Sequence, residues 1–244
     1  MSTLTIAVII ENNRPWPKFS AESLLAQTAI PTTEIEIFAK NSSDSSVEEF
    51  ISIIGDSFPV NLTLFQNIQE VFLKLKHSNS QYLMVLGANN YTTSNTKICD
   101  QISTLENSDF HLCWHPVIFR RKSTLELLPN RNSINYFLDS KTINPKFVPW
   151  QSLAIRVETF KILVNEESVI SFSDLINQLL KKYSGQLLLQ PSLIIQNSAG
   201  KGSFDDDRGA ASSSQKNTQI LTRDLWDWKD SLKFLIYRIG QIFR

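Results

Sequence analysis

The sequence predicts an α/β fold, with a mostly parallel central sheet flanked by helices. Three observations predict it. Apolar or alternating runs recur at residues 6–10, 34–38, 60–65 and 82–86, and short runs of this kind are strand signals. The gaps between them are long enough for the crossover connections that parallel strands need. Those gaps carry helix-spaced apolar residues at 20–27, 46–54 and 69–77.

Taken in order, Ile6-Ala7-Val8-Ile9-Ile10 is unbroken apolar sequence, as expected of a strand buried on both faces. In the helix predicted over 69–77, Val71, Phe72 and Leu75 share one side. A fourth helix is predicted over 95–106, and strands over 111–119 and 151–156. Helices follow at 158–165 and 173–183, the second with Asp174 near its start and an apolar stripe of Leu175, Leu179 and Leu180; Gly185 is expected to end it. A strand over 187–195 completes the domain, 1–196. Residues 197–221, rich in Ser, Gly, Asp and Lys, read as a loop or linker. Residues 222–244 place Leu225, Trp228, Leu232, Ile236, Ile239 and Phe243 at helical intervals. That pattern suits a docked helix, an oligomer contact or a membrane-surface helix.

With 244 residues, 42% of them hydrophobic, the chain can bury one large core. Its 24 basic and 24 acidic residues cancel, so no bulk charge draws it to nucleic acid or acidic lipid. Two cysteines do not make a disulfide-stapled secreted scaffold, and the first ten residues lack a basic start ahead of an apolar core. The expectation is a cytoplasmic chain. No apolar run approaches the roughly 18 residues of a spanning helix, which leaves peripheral attachment as the route to a membrane.

Ligands of open α/β sheets bind beyond the carboxyl ends of the strands, which directs attention to loops 11–17, 39–46 and 87–93. His111, Cys113 and His115 alternate, and on one strand they would share a face, with Cys99 near in sequence. They are zinc-ligand types in a spacing that matches no finger or catalytic pattern. Trp114 and Trp150 could stack on a sugar ring or pack in the core. No glycine-rich phosphate loop, His-Glu-x-x-His or Gly-x-Ser-x-Gly motif is present.

The strand at 6–10, Asn13-Arg14-Pro15, Ser23-Leu24-Leu25-Ala26-Gln27-Thr28 and the strand at 34–38 follow the order found at the N-terminus of the family 2 glycosyltransferases, which this sequence resembles over about residues 5–86 and more thinly over 151–195. The resemblance implies a GT-A fold and transfer of a sugar from a nucleotide-sugar donor to a glycan or lipid-linked acceptor. It implies that Glu11, Asn13, Asn41, Asp44, Asn89 and Asn90 hold the donor. Asp174 would be the general base, although an acid at that place also serves simply to start a helix.

The family's Asp-Asp-Gly-Ser-Thr-Asp loop is here Ala39-Lys40-Asn41-Ser42-Ser43-Asp44, and its Asp-Ala-Asp-Asp turn is Gly87-Ala88-Asn89-Asn90. An amide oxygen carries no charge, so Mg²⁺ or Mn²⁺ would bind weakly with Asn89 in place of a carboxylate, unless the donor diphosphate supplied most ligands. A retained scaffold with altered polar signatures also suits a catalytically silent binding or assembly module. A flavodoxin-like or Rossmann-like regulator would need only the strand-helix alternation and leaves Ser23–Thr28 unexplained.

Overall fold

The computed structural model describes residues 2–10, 16–40, 45–121, 124–128, 148–166, 169, 171–188 and 191–196. Its order is β1 (Leu4–Ile10), α1 (Trp16–Leu25), β2 (Thr33–Ala39), α2 (Ser46–Ile54), β3 (Val60–Leu64), α3 (Ile68–Leu75), β4 (Tyr82–Gly87), β5 (Asn90–Thr92), α4 (Lys97–Glu106), β6 (Leu112–Trp114), β7 (Val117–Arg121) and β8 (Thr124–Leu128). A single turn of 3₁₀ helix, Trp150–Ser152, then leads into β9 (Leu153–Arg156), α5 (Val157–Glu166), α6 (Phe172–Lys182), β10 (Gly185–Leu187) and β11 (Leu193–Gln196).

Seven strands form the central sheet in the order β10-β6-β9-β4-β1-β2-β3. All neighbours are parallel except β9, which runs antiparallel to β4 and β6. The predicted mostly parallel sheet is therefore present. Alternation along the strands divides the core into two layers. Leu4, Ile6, Val8 and Ile10 of β1 face a front layer with Leu24 of α1, Phe50 of α2 and Ile102 of α4. Ala7 and Ile9 face a back layer with Phe72 of α3, Phe160 of α5 and Leu175 of α6. Each fully buried Leu, Ile or Phe contributes roughly 1.5–3 kcal/mol, so these two layers hold the sheet.

Three expectations need correction. The runs predicted as single strands over 111–119 and 187–195 each divide between two sheets. Leu112–Trp114 and Gly185–Leu187 belong to the central sheet, while Val117–Arg121 and Leu193–Gln196 join β5 and β8 in a four-stranded sheet, β5-β11-β7-β8. Pro116 and Pro191 lie in the two breaks, and a residue without an N–H interrupts a ladder. Gly185 does not cap a helix: α6 stops at Lys182, and Gly185 opens β10. An added Cβ there would stand 2.8 Å from Leu112 Cγ and 2.9 Å from Trp114 Cζ3, so close strand packing is what requires the glycine. The first helix also begins at Trp16 rather than Ser20, with Pro17 in its first turn, where a missing N–H costs no helical bond. Residues 197–244, with the expected linker and C-terminal helix, lie outside the described residues.

Candidate functional site

Strands β1, β2, β4, β6 and β10 finish at the same end of the central sheet, and antiparallel β9 starts there. The chain leaves that end through the loops flagged by the sequence. Glu11, Asn13, Asn41 and Asp44 lie outside the described residues. The turn after β4 is described in full.

Gly87 shares the side of β4 on which Leu83 and Val85 face the back layer. A Cβ on Gly87 would stand 2.5 Å from Asn89 Oδ1 and 3.3 Å from Asn90 Nδ2. Both asparagine side chains therefore fold over Gly87, above the back layer. A side chain at 87 would displace them. Asn90 is 2% exposed, and among the described residues neither its Oδ1 nor its Nδ2 has a hydrogen-bond partner. Buried polar atoms are normally bonded, and leaving one unmet costs about 1–3 kcal/mol.

Helix α6 brings Asp174 to this same end. Phe172, in its first turn, stacks on Trp150 with ring centroids 4.3 Å apart and planes 7° from parallel. Trp150 leads into β9, whose Leu153 pairs with Trp114 at the finish of β6. Tyr183, just past the other end of α6, lies 4.8 Å from His111, ahead of β6. The helix thus runs against the strands, with its N-terminus beside their ends. Ser171 caps it, accepting from the Asp174 N–H at 3.1 Å and donating its hydroxyl to Asp174 Oδ2 at 2.8 Å. Asn89, Asn90, Trp150 and Asp174 consequently lie toward one end of the sheet.

Two contributors have no sequence signature. Gln151, 3% exposed in the turn before β9, has Oε1 buried without a partner among the described residues. Ser192, 1% exposed ahead of β11, has Oγ in the same condition. The clamp behind the site, by contrast, is the segment that carried the resemblance. Gln27 donates to Thr92 Oγ1 at 2.9 Å and Ser94 O at 2.7 Å and accepts from Ile98 N at 3.2 Å, while Ser23 Oγ accepts from Thr92 N at 3.1 Å. Thr28 N donates to Asn95 O at 2.7 Å. These bonds tie the end of α1 to β5 and the start of α4, and so fix the strand that opens with Asn90.

Lys97, in the first turn of α4, is 1% exposed, and its Nζ donates to Gln101 Oε1 at 2.7 Å. Gln101 Nε2 donates to the carbonyls of Ser152 at 2.7 Å and Cys113 at 3.3 Å. Burial brings the Lys97 amine down to about 8, and burial pushes the Cys113 thiol up to about 12. The signal for Lys97 was its place one helical turn before Gln101, within an apolar stripe.

The alternating His111, Cys113 and His115 do not act as one face. His111 turns to Thr159 of α5, Nδ1 to Oγ1 at 2.9 Å, whereas Cys113 Sγ faces the Gln101 carbonyl of α4 at 3.4 Å. His111 precedes β6 and is free of its alternation. Among the described residues, no three His, Cys, Asp or Glu gather to hold a metal. The β4 turn offers amide oxygens without charge, a donor set that would hold a divalent cation weakly unless a diphosphate supplied most of its ligands.

No family model and no curated protein sequence matches the chain. Solved structures match it in shape. S. aureus TarS 1–349 in complex with UDP aligns at a TM-score of 0.60 and 10% identity, over 80% of this chain and 61% of that one. The complex of the same protein with UDP-GlcNAc gives 0.62 at 11% identity, over 82% and 60%. The mannosyltransferase PcManGT from Pyrobaculum calidifontis, in complex with GDP-Man and Mn²⁺, gives 0.56 at 11%, over 85% and 60%. The chain spans about three fifths of the length of these structures. At such identity the likeness is one of fold, and the fold is that of the GT-A glycosyltransferases.

Proposed function

We propose that the chain is a glycosyltransferase of the family 2 type, moving a sugar from a nucleotide-sugar donor to a glycan or lipid-linked acceptor. One observation carries the reading. On a fold shared with proteins solved with UDP, UDP-GlcNAc and GDP-Man, Asn90, whose buried amide meets no partner among the described residues, and its neighbour Asn89 lie toward the same end of the sheet as Trp150 and Asp174.

Nucleoside recognition falls to Glu11, Asn13, Asn41 and Asp44 in the loops after β1 and β2. The Asn89 and Asn90 amides donate to the diphosphate, and half-buried Trp150 offers an apolar surface to a sugar ring. Asp174 accepts the proton of the acceptor hydroxyl as its oxygen bonds to the anomeric carbon, and the diphosphate leaves with the electron pair of the broken C–O bond. No step is routed through a metal, which the turn's uncharged amides would hold only weakly unless the donor diphosphate supplied most of its ligands. Hydrogen-bond donors at the strand ends meet the charge of the leaving group instead.

A second reading, a silent binding or assembly module, has its own support: the Asp174 carboxylate is already engaged by Ser171 in a helix cap. Thermal-shift titration with uridine, guanosine and thymidine diphosphates and their sugars, with and without Mn²⁺, separates the two. A donor that binds the folded chain raises its stability by about 2.7 kcal/mol at a hundredfold excess over its dissociation constant. Protection without Mn²⁺ is expected; no protection across the panel contradicts the transferase reading. With a donor in hand, Asp174→Asn should lower turnover about 10²–10⁴-fold, and unchanged turnover would remove Asp174 as base.

A further inference from the structure

The two outer strands of the central sheet are unlike. β10 is three residues long, whereas β3 offers five residues, Val-Asn-Leu-Thr-Leu, without a charge or a proline. Exposed edges usually carry charges, prolines or bulges, because their unpaired backbone is a template for another strand.

The ladder fixes which groups of β3 point outward. Ile35 N donates to Pro59 O at 2.9 Å, and Phe65 N donates to Ala39 O at 3.1 Å. Bonding residues alternate along a parallel pair, so Pro59, Asn61, Thr63 and Phe65 face β2. Val60, Leu62 and Leu64 turn both N–H and C=O to the open edge, where no described strand meets them. Their register opposite Ile35, Ile37 and Ala39 puts their side chains on the front face. Val60 packs against the core there, while Leu62 is 50% and Leu64 73% exposed.

We propose that β3 is a self-pairing edge, where two copies of the chain join antiparallel about a two-fold axis at Leu62 and continue one central sheet into the other. The strand is complementary to itself in this arrangement. Leu62 meets Leu62 of the second copy and Val60 meets Leu64, each pair exchanging two backbone bonds, about six in all. The apolar side chains of both copies then form one stripe on a single face, an isologous contact that closes at two. On the opposite face, Asn61 meets Thr63 of the second copy. Asn61 Nδ2 already donates to Glu36 Oε1 at 2.8 Å, which holds it in place for that contact.

The test is the mass of the full chain in solution, by sedimentation or light scattering over a concentration series. Twice 27.8 kDa is expected at high concentration, falling toward a single copy on dilution. Leu62→Lys sets two ammonium groups opposite each other across the axis and should weaken association about tenfold or more, as should Leu64→Lys. Leu73→Lys, at a position 56% exposed on α3, should change nothing and controls for added charge. Circular dichroism of each variant confirms folding. A monomer at every concentration overturns the proposal, as does a dimer indifferent to both β3 substitutions.

Discussion

Where the strands of the central sheet begin, Arg156 donates to the carbonyls of Leu105, Ser108 and Phe110 at 2.5, 3.0 and 2.9 Å, and Thr5 and Ser80 both donate to Glu34 Oε1, at 2.6 and 3.1 Å. Where the parallel strands finish, Asn90, Gln151 and Ser192 bury polar atoms that meet nothing among the described residues. Both ends carry side-chain hydrogen bonds that hold the fold, and the unmet atoms of Asn90, Gln151 and Ser192 lie at the second. Each unmet buried group costs about 1–3 kcal/mol, and such groups are ordinarily met by ordered water or a ligand. The contrast agrees with a ligand end where the parallel strands finish.

The largest effect is expected at the clamp that supports the ligand end. Gln27→Leu removes its bonds to Thr92, Ser94 and Ile98 and leaves buried partners unmet, for a loss of about 3 kcal/mol in denaturant unfolding. It should also weaken nucleotide protection, since β5 and Asn90 lose their tether. A stable variant with full protection would show that the clamp does not position the site.

Arg156→Ala comes next, at about 2 kcal/mol, with the nucleotide-induced shift in melting temperature unchanged. Loss of that shift would break the division between the two ends.

A smaller effect belongs to Lys97 and is read against pH. Its folded value of about 8 lies below the ordinary 10.5, so from pH 8 to 10.5 the unfolded chain binds more protons and stability rises with pH. Below pH 8 both states carry the proton and the contribution is flat. Cys113 acts in the opposite sense from its ordinary 9.0 up to about 12, where the folded thiol keeps a proton that the unfolded one has lost. Subtracting the Lys97→Met curve isolates the amine: the parent should gain about 1 kcal/mol relative to the variant from pH 8 to 9. A flat difference would mean that Lys97 is solvated.

The first half of the fold was legible because β1, β2 and β4 are apolar runs buried in a parallel sheet and separated by helix-spaced segments. The second sheet was not. β5 has three residues, too few for a period, and the apolar runs at 111–119 and 187–195 continue across the point where the chain changes sheets. Asn89, Asn90 and Asp174 were singled out because they fall where the resembling family keeps its donor-binding turn and its base. Gln151 and Ser192 become distinct only through missing partners, a property of three-dimensional packing. His111, Cys113 and His115 do not share one face because alternation holds within a strand, and His111 lies just before one.

The most direct test is Asn90→Leu, which replaces a buried, partnerless amide with an apolar group of similar size. The account predicts unfolding stability without nucleotide that is unchanged or about 1 kcal/mol higher, together with loss of the thermal shift that a nucleotide-sugar donor gives the parent chain. A variant that unfolds more readily, or that keeps the full donor shift, would contradict it.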